Sequence, residues 1–230
     1  LKLLVFFFVV MVAATAFAED ELTFFITRLA ETGSFSSEVQ LNFHLQDPES
    51  ATEAYIDFSI RLAIMLNNRR DWYFEFIEPD ELEGIAMVYL AREDVLFSVV
   101  EGDPWKQYRT GIFQDDLIDV FLRQFFGAFL EPAAFIWDIS RDDERVHYRI
   151  KPNEARIRLL GLLGGGYVPN IMSVEIVIPV LEGRFPVPRL ITIRDRAAKE
   201  YVEIIVTRFA MTADKDLFLS LRNEYYSTFR

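Results

Sequence analysis

From Val39 to Gln46 the chain alternates without a break. Val39, Leu41, Phe43 and Leu45 are apolar, and Gln40, Asn42, His44 and Gln46 between them are polar. Side chains on a β-strand leave opposite faces in turn, so this run specifies a strand with one apolar and one wet face. The same period returns along most of the chain. In Ala54–Leu66, Ile56, Phe58, Ile60, Leu62 and Ile64 fall on one side, and Asp57, Ser59 and Arg61 on the other. Trp72, Phe74 and Phe76 alternate before Pro79, which ends the run. Further strands are expected at Gly84–Leu90, Val95–Val100, Pro104–Arg109, Phe135–Ser140, Arg145–Lys151, Ala155–Leu160, Ile171–Pro179, Arg189–Arg194 and Glu200–Phe209. Asp47-Pro48-Glu49-Ser50, Asn67-Asn68 and Arg92-Glu93-Asp94 are turn signals. Connections this short favour antiparallel neighbours.

Three segments break the period. Glu21–Glu31 carries Leu22, Phe25, Ile26 and Leu29 at helical spacing and stops at Gly33. From Gln114, one helix face collects Leu117, Ile118, Phe121, Leu122, Phe125, Phe126 and Phe129, while Asp115, Asp116, Asp119 and Arg123 take the rest. That helix either packs as ordinary core or covers the mouth of an apolar cavity. Asp214–Tyr226 is a third helix.

Residues 1–18 read as an export signal. Lys2 is a positive start, Leu3–Val12 an apolar stretch and Ala16-Phe17-Ala18 a small-x-small cleavage site. The apolar stretch is shorter than the roughly 20 residues of a spanning helix. The expectation is a cleaved signal at 1–18 and a single domain over 19–230, soluble in the periplasm and not integral to the membrane.

Charge and composition narrow the partners. The net charge is −12, which disfavours nucleic acid and anionic membrane surfaces. Half of the residues are hydrophobic and 22 are Phe, too apolar for disorder. The chain has no cysteine, which removes thiolate metal sites, a Cys nucleophile and a lipid-modified Cys. His44 and His147 sit at polar positions of their alternations and read as solvated. No serine lies in a Gly-x-Ser-x-Gly elbow, and the Gly161–Gly166 stretch lacks the Lys-Ser/Thr of a phosphate loop. No enzymatic function and no cofactor are expected, and no metal site.

One segment resembles a known family. Trp72-Tyr-Phe-Glu-Phe76, Glu78-Pro79-Asp80-Glu81-Leu82, Gly84, Ile85–Leu90 and Asp94-Val-Leu-Phe97 follow one another as an aromatic strand, a Pro-containing turn, a glycine, a strand, and an Asp before another strand. With Gln114-Asp115-Asp116-Leu117 at a helix start, this is similar to the LolA/LolB-like superfamily of lipoprotein carriers and outer-membrane lipoprotein-sorting proteins. The resemblance implies a mainly β fold with helices: a curved, incompletely closed antiparallel β-barrel under a helical lid. It implies an acylated lipoprotein or lipid ligand, passed between donor and acceptor envelope proteins. Trp72, Phe74, Phe76, Val174 and Ile176 are then the expected apolar wall, and Leu117, Phe121 and Phe125 the lid. The carriers use an arginine beneath the lid, for which Arg109 and Arg123 lie nearest. Relatives also include envelope sensors and accessory proteins, so a sensor or scaffold that binds another envelope protein is the alternative.

Overall fold

The computed structural model describes residues 21–47, 54–68, 71–108, 135–153, 173–180, 184–195 and 197–229. The expected signal at 1–18, the apolar helix of 114–129 and the strand expected at 155–160 lie outside them. The described residues are mainly β. Helix α1 (Glu21–Thr32) precedes strands β1 (Phe35–Gln46), β2 (Tyr55–Asn67), β3 (Asp71–Glu78), β4 (Ile85–Leu90), β5 (Val95–Val100) and β6 (Asp103–Tyr108). Strands β7 (Phe135–Arg141), β8 (Arg145–Pro152), β9 (Ser173–Pro179), β10 (Leu190–Arg194) and β11 (Tyr201–Ala210) follow, and helix α2 (Lys215–Phe229) ends the chain. The strands form one sheet in the order β6-β5-β4-β3-β2-β1-β11-β10-β9-β8-β7. The pairings from β2 to β6 and from β7 to β11 are antiparallel. Among the described residues no helix is long and apolar enough to cross a membrane.

The chain divides into two compact units. The first gathers the described residues of Leu1–Arg28, Asn42–Phe58 and Asp119–Ile205. Within it, Trp137 stands opposite Ile150, Ile150 opposite Val174, and Val174 opposite Ile193. Residues directly opposed across strands share a face, so these side chains form one apolar row. Tyr148 and Ile176, also opposed, extend it. Leu22 of α1 packs on Val146, Tyr148 and Ile178, and its N–H donates to the Tyr148 hydroxyl at 3.3 Å. The reverse face is wet, with the Arg149 Nε 2.9 Å from Glu175 and its Nη1 3.7 Å from Asp138.

The second unit comprises Leu29–Leu41, Ser59–Ile118 and Val206–Arg230 as far as described. Here Tyr73 opposes Val88, and Val88 opposes Phe97. With Ala86, Leu90, Val95 and Val99 they form a closed core against Phe218, Leu221 and Tyr225 of α2. Those three fall on one helix side because they are spaced by three and four residues. The Asp214 carboxylate caps the helix, accepting the N–H groups of Asp216 and Leu217 at 3.0 Å each. At the end of α1, Gly33 takes φ 65° and donates its N–H to the Leu29 carbonyl at 3.0 Å. A left-handed residue there is why the helix stops at a glycine.

One expectation is modified. Ile56 and Phe58 belong to the apolar side of β2 but remain exposed. Phe58 finds a stacked neighbour in Phe43, with ring centroids 4.5 Å apart. Alternation decides which side a residue faces; a second layer must cover that side before it becomes core.

Phe97 is fully buried, whereas Trp105 on β6 is 69% exposed. Phe97→Ala is therefore expected to cost about 3–5 kcal/mol in urea unfolding. Trp105→Ala should stay within about 0.5 kcal/mol of the unaltered protein.

Candidate functional site

Strand β3 places Trp72, Phe74 and Phe76 on one face by its period of two, and the Trp72 and Phe74 rings lie parallel with centroids 5.7 Å apart. Leu66, Ile64 and Leu62 of β2 stand opposite them in that order, and Tyr89 and Met87 of β4 oppose Trp72 and Phe74. Phe35 meets the Trp72 ring edge-on at 6.5 Å and stacks on Phe209 at 5.9 Å. The result is an apolar patch three strands wide, on the sheet face opposite Tyr73, Val88 and Phe97. The two faces differ in closure. Tyr73, Val88 and Phe97 are buried under α2, while Trp72, Phe74, Phe76, Ile64, Leu62 and Met87 are half-buried. The patch carries aromatic and aliphatic surface with little hydrogen-bonding capacity, so it suits hydrocarbon rather than a polar substrate.

The other expected wall residues, Val174 and Ile176, share a face of β9 in the first unit. Val174 is buried with Phe135 and Ile150, and Ile176 packs against the same cluster. The expected lid residues Leu117, Phe121 and Phe125, and the arginines Arg109 and Arg123, lie outside the described residues. His44 places Nδ1 2.7 Å from an Asp57 carboxylate oxygen, with its ring stacked between Tyr55 and Tyr201 at 4.7 and 4.9 Å. Among the described residues no group of three His, Cys, Asp or Glu is placed to hold a metal ion.

Alternation alone leaves one feature of the second unit unread. Arg222 of α2 reaches two carboxylates, its Nη2 lying 3.2 Å from Asp71 and its Nε 3.1 Å from Glu93. The other Asp71 oxygen accepts the Ala91 N–H at 3.1 Å, and the Tyr226 hydroxyl donates to Glu93 at 3.1 Å. The Glu93 side chain is only 3% exposed. Asp71 stands at a strand start, Glu93 in a hairpin and Arg222 late in a helix, so no local motif joins them. The signal available in sequence was a charged residue in the turn Arg92-Glu93-Asp94 and another on the polar edge of α2. On the same closed side, burial pushes the Tyr73 hydroxyl well above the usual tyrosine value of 10.0, and the Glu75 carboxylate beside it adds to the rise.

Two measurements follow from this packing. A hydroxyl whose pKa is raised in the folded chain contributes stability that is present below the unfolded value and lost as pH rises toward the folded one. Stability should thus decline above pH 10.0, and Tyr73→Phe should flatten that decline in unfolding curves taken across alkaline pH. Arg222→Met leaves two buried carboxylates without their cation, a loss of about 3–5 kcal/mol. Adding Glu93→Gln to that variant should recover part of the loss in a double-mutant cycle.

No protein-family model matches the chain, and no curated protein does. Solved structures do. One is an uncharacterized conserved protein from Thermus thermophilus, 13% identical with a TM-score of 0.45, covering 87% of this chain and 93% of that one. Another is a putative outer membrane lipoprotein-sorting protein domain from Vibrio parahaemolyticus, at 8% identity and TM-score 0.38, covering 88% and 97%. A third is a LolA superfamily protein from Nitrosomonas europaea, at 12% identity and TM-score 0.37, covering 80% and 89%. No residue role is carried over from these structures.

Proposed function

We propose that the chain is a periplasmic carrier that shelters the acyl chains of a lipoprotein or another lipid against the face of Trp72, Phe74 and Phe76. The observation that carries this reading is the unequal closure of the second unit. One side of its sheet is sealed by α2, and the other presents half-buried aromatic and aliphatic side chains three strands across. Surface of this kind is costly to leave in water, and each acyl methylene it covers gains about 0.8 kcal/mol. A wall that is only partly buried also suits a carrier, which must release its cargo as well as take it up. Leu117, Phe121 and Phe125 are proposed as the helical cover. Val174 and Ile176 offer the same kind of apolar side chain on the face of their own unit. In this reading the chain exchanges cargo with donor and acceptor envelope proteins and performs no chemistry.

Lipid extraction and native mass spectrometry of protein purified from its own host test the proposal directly. An acylated species should accompany the protein, and displacement of a fluorescent fatty acid should saturate. Phe74→Asp places a charge on the wall, and desolvating that charge should lower fatty-acid affinity by at least about tenfold while the fold survives. Phe121→Asp should do the same if that helix is the cover. A wild-type chain that neither carries nor takes up any acyl ligand overturns the carrier and leaves the sensor or scaffold.

A further inference from the structure

Strand β2 outruns one of its neighbours. Strand β3 pairs with it only from Arg61 to Asn67. Among the described residues no strand lies beside Tyr55–Phe58 on the side away from β1. This stretch belongs to the first unit. The Ala54 carbonyl accepts the Asp47 N–H at 2.9 Å, so Ile56 and Phe58 turn their backbone groups toward β1. Those of Tyr55 and Asp57 point the other way, as an open row of donors and acceptors. Exposure agrees, since Ile56, Asp57 and Phe58 are all exposed although their strand has β1 beside it. Sheets ordinarily protect such an edge with lysine, proline or a bulge. Here it carries two large apolar side chains and one carboxylate.

Two ladders of side chains run across the strands of this unit, and each stops at β2. On one face Phe58 stacks on Phe43 with centroids 4.5 Å apart. On the other, the His44 ring lies between Tyr201 and Tyr55, at 4.9 and 4.7 Å. Beyond Tyr201 this second ladder ends in the Arg194 guanidinium, 5.2 Å from the ring centroid. Its Tyr55 end has no such cap. Among the described residues no ring or cation other than His44 stacks on Tyr55, and none other than Phe43 on Phe58. The Asp57 carboxylate, 2.7 Å from His44, is 74% exposed. A strand added at this edge would continue both ladders. Its residues opposite Ile56 and Phe58 would meet apolar surface, and those between them a tyrosine ring and a carboxylate. Arginine suits both, stacking on the ring and pairing with the carboxylate. The net charge of −12 adds attraction for a basic segment.

We infer that Tyr55–Phe58 is a docking edge for an extended segment of a partner protein, one in which arginine or lysine alternates with apolar side chains. Such a segment adds a strand to the sheet: backbone pairing holds it, and the two faces select it. The edge does not depend on the acyl wall, and the two readings fail separately. The probe is the end-blocked peptide Thr-Ile-Arg-Phe-Arg-Thr, titrated into the isotope-labelled full chain and followed by backbone amide resonances. The signals of Tyr55 and Asp57 should shift and saturate. Two control peptides, Thr-Ile-Glu-Phe-Glu-Thr and the rearranged Thr-Arg-Arg-Ile-Phe-Thr, should bind at least about tenfold more weakly. Asp57→Lys should reverse the order of the arginine and glutamate peptides at a nearly unchanged melting temperature, since that side chain is exposed. Phe74→Asp should bind the arginine peptide as the unaltered chain does. The inference is overturned if the arginine peptide does not bind at millimolar concentration, or if the rearranged peptide matches it. It is also overturned if Asp57→Lys leaves the preference as it was. A chain that sediments as a dimer, and as a monomer after Asp57→Lys, overturns it in favour of a second copy at this edge.

Discussion

The seating of α2 on the sheet is the contact from which the rest of the second unit follows. Phe218, Leu221 and Tyr225 close over Val88, Leu90 and Phe97, with the Phe97 and Tyr225 rings 5.3 Å apart. A sheet whose strands are apolar on alternate residues needs a partner layer for each apolar face. Here the helix supplies that layer on one side. Strand β3 is apolar on both sides, through Tyr73 on one and Trp72, Phe74 and Phe76 on the other. Sealing the first side with α2 leaves the side chains of the second half-buried.

The same helix organises the charges. Arg222 follows Leu221 directly, so burying Leu221 brings the guanidinium to the margin of the core, where Asp71 and Glu93 meet it. Ion pairs at such a margin are weak sources of stability but strong constraints on geometry, since removing one partner strands the others. They fix α2 against the β2–β3 and β4–β5 turns. A cleft there is lined by Asn67, Asp71, Arg92, Lys215 and Arg222. Apolar closure and the ion-paired margin are thus two results of one docking event.

Much of this architecture was legible in the chain. Val95–Val100 was read at its observed bounds, and β3, β8, β9 and β10 within two residues, because a two-residue period bounded by Pro, Gly or Asn turns is a local property. That Trp72, Phe74 and Phe76 share a face was equally local. The role of α2 was less so. Its spacing of Phe218, Leu221 and Tyr225 is visible, but the segment 114–129 carries a far stronger apolar stripe, so spacing alone does not mark α2 as the covering layer. Ile56 and Phe58 illustrate the converse, with an apolar pattern clear in sequence and side chains that stay exposed.

The sequence by itself determined the period of every strand, and with it which residues are companions on a face. It also determined an acidic, cysteine-free chain unsuited to thiolate chemistry. Only the tertiary structure decided which of the two faces of β3 is closed and which stays half-open. It alone brought Asp71 to 3.2 Å and Glu93 to 3.1 Å from the Arg222 guanidinium. The physical reason is range. Side-chain period and turn chemistry act over a few neighbouring residues, whereas burial depends on which distant layer arrives, and ion pairing on where that layer carries its charges.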